Sequence, residues 1–152
     1  MDRMDHKILT ELQKNGRLSI TELAERVGLS ISPCHRRIRA LENQGVIQGY
    51  HAQVDASQLG LEFAAIVFVT MREGDHQAVV RFEAAVMDIP EIISAQRLFG
   101  DPDYMLHVIT RDLPAFQALY DEQLSAMPGV HRLTSTLVMK TLVQERELPL
   151  HR

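Results

Sequence analysis

Arg36, Arg37 and Arg39 crowd into four consecutive positions of the stretch LSISPCHRRIRALENQGVIQGY, residues 29–50. A guanidinium does not deprotonate at ordinary pH, and its planar fork of N–H donors matches phosphate oxygens or the O6 and N7 acceptors of guanine. Ser30, Ser32 and His35 stand beside the arginines with hydroxyl and imidazole groups that can contact either partner. The chemistry on offer is recognition of an anion or of a base edge.

Bond-making chemistry finds less to work with. The seven histidines, His6, His35, His51, His76, His107, His131 and His151, include no pair spaced as H-x-x-x-H or H-E-x-x-H. Cys34 is the one cysteine, so neither a disulfide framework nor a multi-cysteine zinc site is available. Cys34 and His35 are adjacent on a helix and therefore point about 100° apart, a poor nucleophile and base pair. Asp101 and Asp103 share one short loop that offers too few oxygens for a hard cation. The sequence thus leads us to expect no catalytic residue, no metal and no cofactor.

The arginines need an element to aim them, and the apolar spacing supplies one. Met4, Ile8 and Leu12, then Leu23, Ala24 and Val27, then Cys34, Ile38 and Leu41 recur at helical intervals, predicting three short helices that share one small core. Asn15-Gly16 ends the first, Ser19 or Thr21 caps the second, Gly28 follows the second, and Ser30 caps the third, with Pro33 tolerated in its first turn. At about 100° per residue, Ile38 and Leu41 fall within about 40° of Cys34, while Ser32, Arg36 and Arg39 fall roughly 140–200° away. Arg37 lies nearer the buried side. The third helix therefore shows a narrow apolar seam inward and Ser, Arg, Arg outward, the layout of a recognition helix entering the major groove. Val46, Ile47 and Tyr50 read as a short strand closing a winged version of the motif.

Charge agrees with that division. Residues 1–50 carry eight Lys/Arg against six Asp/Glu, and residues 51–152 carry eight against fourteen, within a net charge of −4. A basic head on an acidic body points to a polyanion meeting the head alone. With 152 residues, 45% apolar and 24% charged, the chain is long enough for two small folded domains. No apolar run approaches the ~18 residues of a membrane span, and the expected location is the cytoplasm.

The run MDRMDHKILTELQKNGRLSITELAERVGLSISPCHRRIRALENQGVIQGYHAQVD resembles the N-terminal helix-turn-helix of the leucine-responsive and asparagine-regulator (Lrp/AsnC) transcription factors. Asp5, Ile8 and Leu9, the LS-x-x-PC start of the third helix and the R-x-x-x-LE-x-x-G-x-I-x-GY exit carry the likeness, which extends to the far end of the chain. The resemblance implies a DNA-binding regulator with Ser30, Ser32, His35, Arg36 and Arg39 on double-stranded DNA. Two readings of other classes stand beside it. A sirohaem-decarboxylase-like enzyme shares the two-part architecture but needs a macrocycle pocket rich in basic side chains, and this body is acidic. An architectural protein would bind DNA without sequence preference.

The body holds an internal repeat. Phe82 precedes Pro90 by eight positions, as Tyr120 precedes Pro128, and each half reads helix, proline break, strand. Strands at 61–71 and 103–110 complete β-α-β twice, a ferredoxin-like βαββαβ plan in an α+β protein. Its expected domains are residues 1–50, a linker at 51–60 and residues 61–152. Two helices cover one face of an antiparallel sheet, yet FAAIVFV at 63–69 is apolar on both sides, and a strand at 92–99 sets Ile92 and Leu98 against Ile93 and Phe99. The second face calls for another copy, hence a homodimer, with further assembly to a tetramer or octamer expected.

FGDPDYML joins two of these strands and by composition is a hairpin loop. The resemblance implies more, because the loop matches the Gly-Asp-x-Asp-Tyr segment at the amino-acid effector site between dimers. Gly100, Asp101, Asp103 and Tyr104 would then meet Thr134, Ser135 and Thr136 of the last strand around an amino acid. Loop N–H groups can hold an α-carboxylate and an aspartate its ammonium. Strand alternation sets Leu133 and Leu137 opposite in direction to Thr134 and Thr136, favouring the two threonines over Ser135.

Overall fold

The structure, a computed structural model, describes residues 1–72, 74 and 76–150. The chain divides into two compact units, Met1–Gln53 together with the segment from Leu142, and Val54–Thr141.

Three helices build the first unit: α1 (Arg3–Lys14), α2 (Ile20–Val27) and α3 (Ile31–Asn43). Asp2 and Asp5 form a capping box at the start of α1, and Ser19 and Glu22 form another at α2, each satisfying N–H groups that a helix start leaves open. Gly28 ends α2 in the left-handed region at φ 76°, a conformation that a β-carbon disfavours, and so turns the chain sharply into α3. Ile8, Leu23, Ala24, Val27, Cys34, Ile38 and Leu41 are the buried core of this unit, the residues whose spacing predicts it.

Two expectations change here. Residues 46–50 form no strand: the N–H groups of Val46 and Ile47 both donate to the Leu41 carbonyl, at 2.9 and 3.2 Å, closing the end of α3 instead of joining a ladder. Tyr50 then turns back, its hydroxyl donating to Glu42 at 3.1 Å. The segment from Leu142, which the sequence reading runs on with residues 61–152, packs with the first unit. The Gln13 side chain holds it there, accepting from the Leu148 N–H at 2.6 Å and donating to the Leu148 carbonyl at 3.3 Å.

The second unit is the ferredoxin-like domain. After a 3-10 turn at Ser57–Leu59 come β1 (Phe63–Met71), α4 (His76–Met87), β2 (Ile92–Arg97), β3 (Tyr104–Thr110), α5 (Leu113–Leu119) and β4 (Val130–Leu137). A π-helical turn, Tyr120–Leu124, extends α5 before Pro128. The antiparallel sheet has the order β2-β3-β1-β4. Ala65, Val67, Val69, Tyr104, Leu106 and Val108 face the helices and pack with Phe82, Val86, Phe116, Leu119 and Leu124. Gly129 admits the close approach of α4 to the sheet, since a β-carbon there would lie 2.7 Å from that of Ala78.

The strand expected over 92–99 is shorter and irregular. Its pairing with β3 shifts between Ile92 and Ser94, and it ends at Arg97, so Leu98 and Phe99 enter the loop. Cross-strand partners share a face, so the helix-free face carries the rows Gln96, Met105, Phe68, Thr134 and Ser94, His107, Ile66, Thr136 across the four strands. Its centre, on β1 and β3, is mostly apolar, and its margins are amide and hydroxyl side chains.

Candidate DNA-reading helix and effector loop

In α3 the three arginines divide by environment. Arg37 turns back onto α1, its Nη1 lying 2.7 Å from Asp2 and 2.8 Å from Asp5. The Asp5 backbone N–H, followed by the Arg37 guanidinium, holds the Asp2 carboxyl at about 2. Arg36 and Arg39 are exposed and have no carboxylate within ion-pair distance among the described residues. Ser30, Ser32 and His35 are exposed around them. The five residues expected to meet DNA thus sit on α3 and the residue that caps it, with the apolar seam behind.

The start of α3 is left open. Asp2, Ser19 and Asp112 each close their helix with a side-chain oxygen on a backbone N–H, whereas the Ser30 hydroxyl makes no such bond. Among the described residues no cap bond takes up that hydroxyl, which leaves it open to an outside partner. Cys34, by contrast, is fully buried, and burial pushes its thiol up, which suits packing and not reactivity. Among the described residues no group of three or more His, Cys, Asp or Glu gathers as a metal site.

The candidate effector loop, residues 98–103, joins β2 to β3. The Leu98 N–H donates to the Asp103 carbonyl at 2.7 Å, and the Asp103 N–H donates to the Val69 carbonyl at 2.9 Å. Asp103 Oδ2 accepts from the Met71 N–H at 2.7 Å. One oxygen of Asp103 therefore pins the loop to the end of β1. Asp101 is exposed with no such tie, beside Gly100 at φ 137°.

The expected effector residues do not all face one way. Tyr104 lies in the helix-covered core at 4% exposure, its ring 4.7 Å from that of Phe82 and its hydroxyl donating to Glu83 at 2.6 Å. Burial, then Glu83, pushes this phenol up to about 12. Ser135, opposite Val67, also belongs to the helix side. Thr134 and Thr136 stand on the open face with Phe68 and Ile66, and Thr134 is nearer the loop. The loop with Asp101 and the two threonines is what one chain brings to that end of the sheet; Tyr104 is a core residue there, because a strand shows alternate residues to opposite faces. The anchoring of Asp103 and the Glu83 partner of Tyr104 have no local sequence signal, since 32 and 21 residues separate the pairs.

A helix-turn-helix with an outward basic helix, joined to a ferredoxin-like domain with a polar loop, defines a DNA-binding regulator with a ligand-sensing domain. Family profiles match both parts: winged helix-turn-helix DNA-binding over residues 1–48 and Lrp/AsnC ligand binding domain over residues 64–148. The chain belongs to the Lrp/AsnC family of transcriptional regulators. It is 39% identical to the Bkd operon transcriptional regulator of Pseudomonas aeruginosa, over 99% of this chain and 98% of that one. It is 40% identical to the leucine-responsive regulatory protein of Salmonella typhimurium, over 97% and 90%. Among solved structures, a Neisseria meningitidis transcriptional regulator crystallised with L-Met superposes with a TM-score of 0.93 at 37% identity, covering 98% of this chain and 96% of that one.

Proposed function

We propose that this regulator reads operator DNA with Ser30, Ser32, His35, Arg36 and Arg39, and that an amino acid bound at the loop of residues 98–103 adjusts that reading. The observation that carries the first part is the pair Arg36 and Arg39, exposed on α3 with no carboxylate partner among the described residues. Two unpaired guanidiniums in an acidic chain fit phosphate oxygens or guanine edges. For the effector, the exposed Asp101 suits an α-ammonium, loop N–H groups suit an α-carboxylate, and Thr134 and Thr136 offer hydroxyls nearby. The Neisseria meningitidis regulator holding L-Met makes that amino acid the first to try.

The site works in an assembly. We read the helix-free face as the contact between two copies, since Ile66, Phe68, Met105 and Ile109 form an apolar centre with Thr134, Thr136, Ser94 and Gln96 at its rim. Dimerisation also presents two copies of α3 to paired half-sites, and further assembly to a tetramer or octamer would place loops from different dimers together. Residues 51–60 serve as the linker. We assign no catalytic role, in keeping with relatives named as regulators. No described helix is long and apolar enough to cross a membrane. We read the cytoplasm as its location, in keeping with the DNA-binding profile match and with relatives named as regulators.

The test is DNA binding by fluorescence anisotropy across a salt series. Arg36→Ala is expected to weaken binding by about 1–3 kcal/mol if it reads a base edge, or to lower the salt slope by about one if it holds a phosphate. Unchanged affinity in the double variant Arg36→Ala/Arg39→Ala removes α3 as the reading helix.

A further inference from the structure

One exposed side chain at the start of α3 is left over by phosphate and guanine chemistry. Ile31, the first residue of the helix, is 52% exposed. The core does not need it: Cys34, Ile38 and Leu41 lie at 0%, 6% and 3% exposure and close the seam without its help. Propensity does not favour it either, because a β-branched residue is a poorer helix former than alanine, glutamine or glutamate. Ser30 and Ser32, its neighbours in the chain, are polar and exposed.

A lone exposed apolar residue elsewhere on a surface needs no explanation. Here the position matters, because the N-terminal turn of a recognition helix is the part that reaches base edges. In the major groove the apolar feature of a base edge is the C5 methyl of thymine. At about 100° per residue, Ile31 lies about 20° from Ile38 and about 60° from Cys34, at the exposed end of the apolar seam, about 40° from His35 one turn on and some 80–140° from Ser32, Arg36 and Arg39. The seam thus ends in an exposed apolar tip beside His35, at the edge of the polar readers, where a base-pair contact would not displace their hydrogen bonds.

We propose that Ile31 packs against the C5 methyl of a thymine in each operator half-site, and so sets sequence preference at that position. The inference rests on α3 being the reading helix, and goes beyond it by assigning a base to a side chain.

Uracil in place of thymine deletes that methyl group and nothing else. The preferred duplex is first selected from random sequences with the full-length protein, and each thymine is then replaced by uracil in turn. At one thymine of each half-site, uracil should weaken binding about fourfold, the worth of one apolar carbon withdrawn from water (~0.8 kcal/mol). Ile31→Ala, with folding checked by circular dichroism, should bind the thymine and uracil duplexes alike, and Ile31→Val should keep part of the difference. A parent protein indifferent to uracil at every position overturns the inference, even if Ile31→Ala folds poorly. So does an Ile31→Ala variant that discriminates as the parent does. If Arg36→Ala still loses affinity in the same assay, the reading helix stands and the Ile31 contact alone fails; if neither substitution matters, both fall.

Discussion

In the head, Arg36 and Arg39 point outward with no carboxylate partner among the described residues, while Arg37 is engaged by Asp2 and Asp5. In the body, two polar groups of the candidate effector site are engaged within the chain: Asp103 holds the end of β1 and Tyr104 holds Glu83. The difference follows from the partner each region suits. A polyanion is large and external, so one helix face with free cations is a complete contact surface. A small ligand must be enclosed, and one chain brings only a loop, Asp101 and two threonines on an open sheet face.

The largest effect should come from the open face. If it is the contact between copies, Phe68→Asp places an unpaired charge at its apolar centre, at a cost of about 3–5 kcal/mol by analogy with a buried charge that loses its partner. Light scattering should then fall from at least twice 17.2 kDa to 17.2 kDa, with the helix-covered core intact. A parent protein already monomeric at micromolar concentration breaks the comparison, because the body would then be complete alone.

The two loop aspartates should separate next. Once a thermal-shift screen of the twenty amino acids has identified a ligand, Asp101→Asn is expected to weaken it by roughly 1.5–3 kcal/mol, about ten- to a hundredfold in calorimetric Kd, with urea unfolding unchanged. Asp103→Ala should instead lower stability by about 1–3 kcal/mol, because the Met71 N–H loses its acceptor. The reverse assignment would make Asp103 the ligand contact and Asp101 a turn residue.

Within the head, Arg37→Ala should lower Tm while DNA affinity measured well below that Tm stays near the parent value. Arg36→Ala should do the opposite. Equal loss of DNA binding in both would mean that Arg37 reaches the DNA despite its ion pairs.

The smallest effects are in pH. Asp2, lowered from 3.8 to about 2, favours the folded state above pH 3.8 and loses that contribution as pH falls towards 2. Tyr104, raised from 10 to about 12, favours the folded state below pH 10 and loses that contribution as pH climbs towards 12. Stability curves should therefore flatten at the acid end for Asp2→Ala and at the alkaline end for Tyr104→Phe. An ultraviolet titration should show Tyr104 ionising near 12.

Legibility in the sequence tracks the separation of the partners. The helical seam through Cys34, Ile38 and Leu41, the Gly28 turn and the outward set Ser32, Arg36 and Arg39 were readable because each depends on residues within a few turns of one another. The doubled β-α-β plan was readable from repeat spacing. The wing strand was not, because the N–H groups of Val46 and Ile47 could close the helix or pair in a ladder, and only packing decided for the helix. Residues 92–99 read as one strand, yet the shift between Ile92 and Ser94 and the end at Arg97 depend on registry with β3.

By itself the sequence determined two folded parts, their order of elements, a third helix with an outward basic face and an apolar second sheet face, since periodicity and charge are properties of neighbouring residues. Tertiary structure alone decided that Arg37 belongs to α1, that Asp103 pins the loop to β1 and that Tyr104 faces the core while Thr134 and Thr136 face outward. The side-chain pairs among them join residues 21 to 35 positions apart, and the facing of the two threonines follows from the pairing of β4 with the still more distant β1. Which of several chemically competent donors and acceptors meet across such distances is set by strand register and helix packing, and no local pattern encodes it.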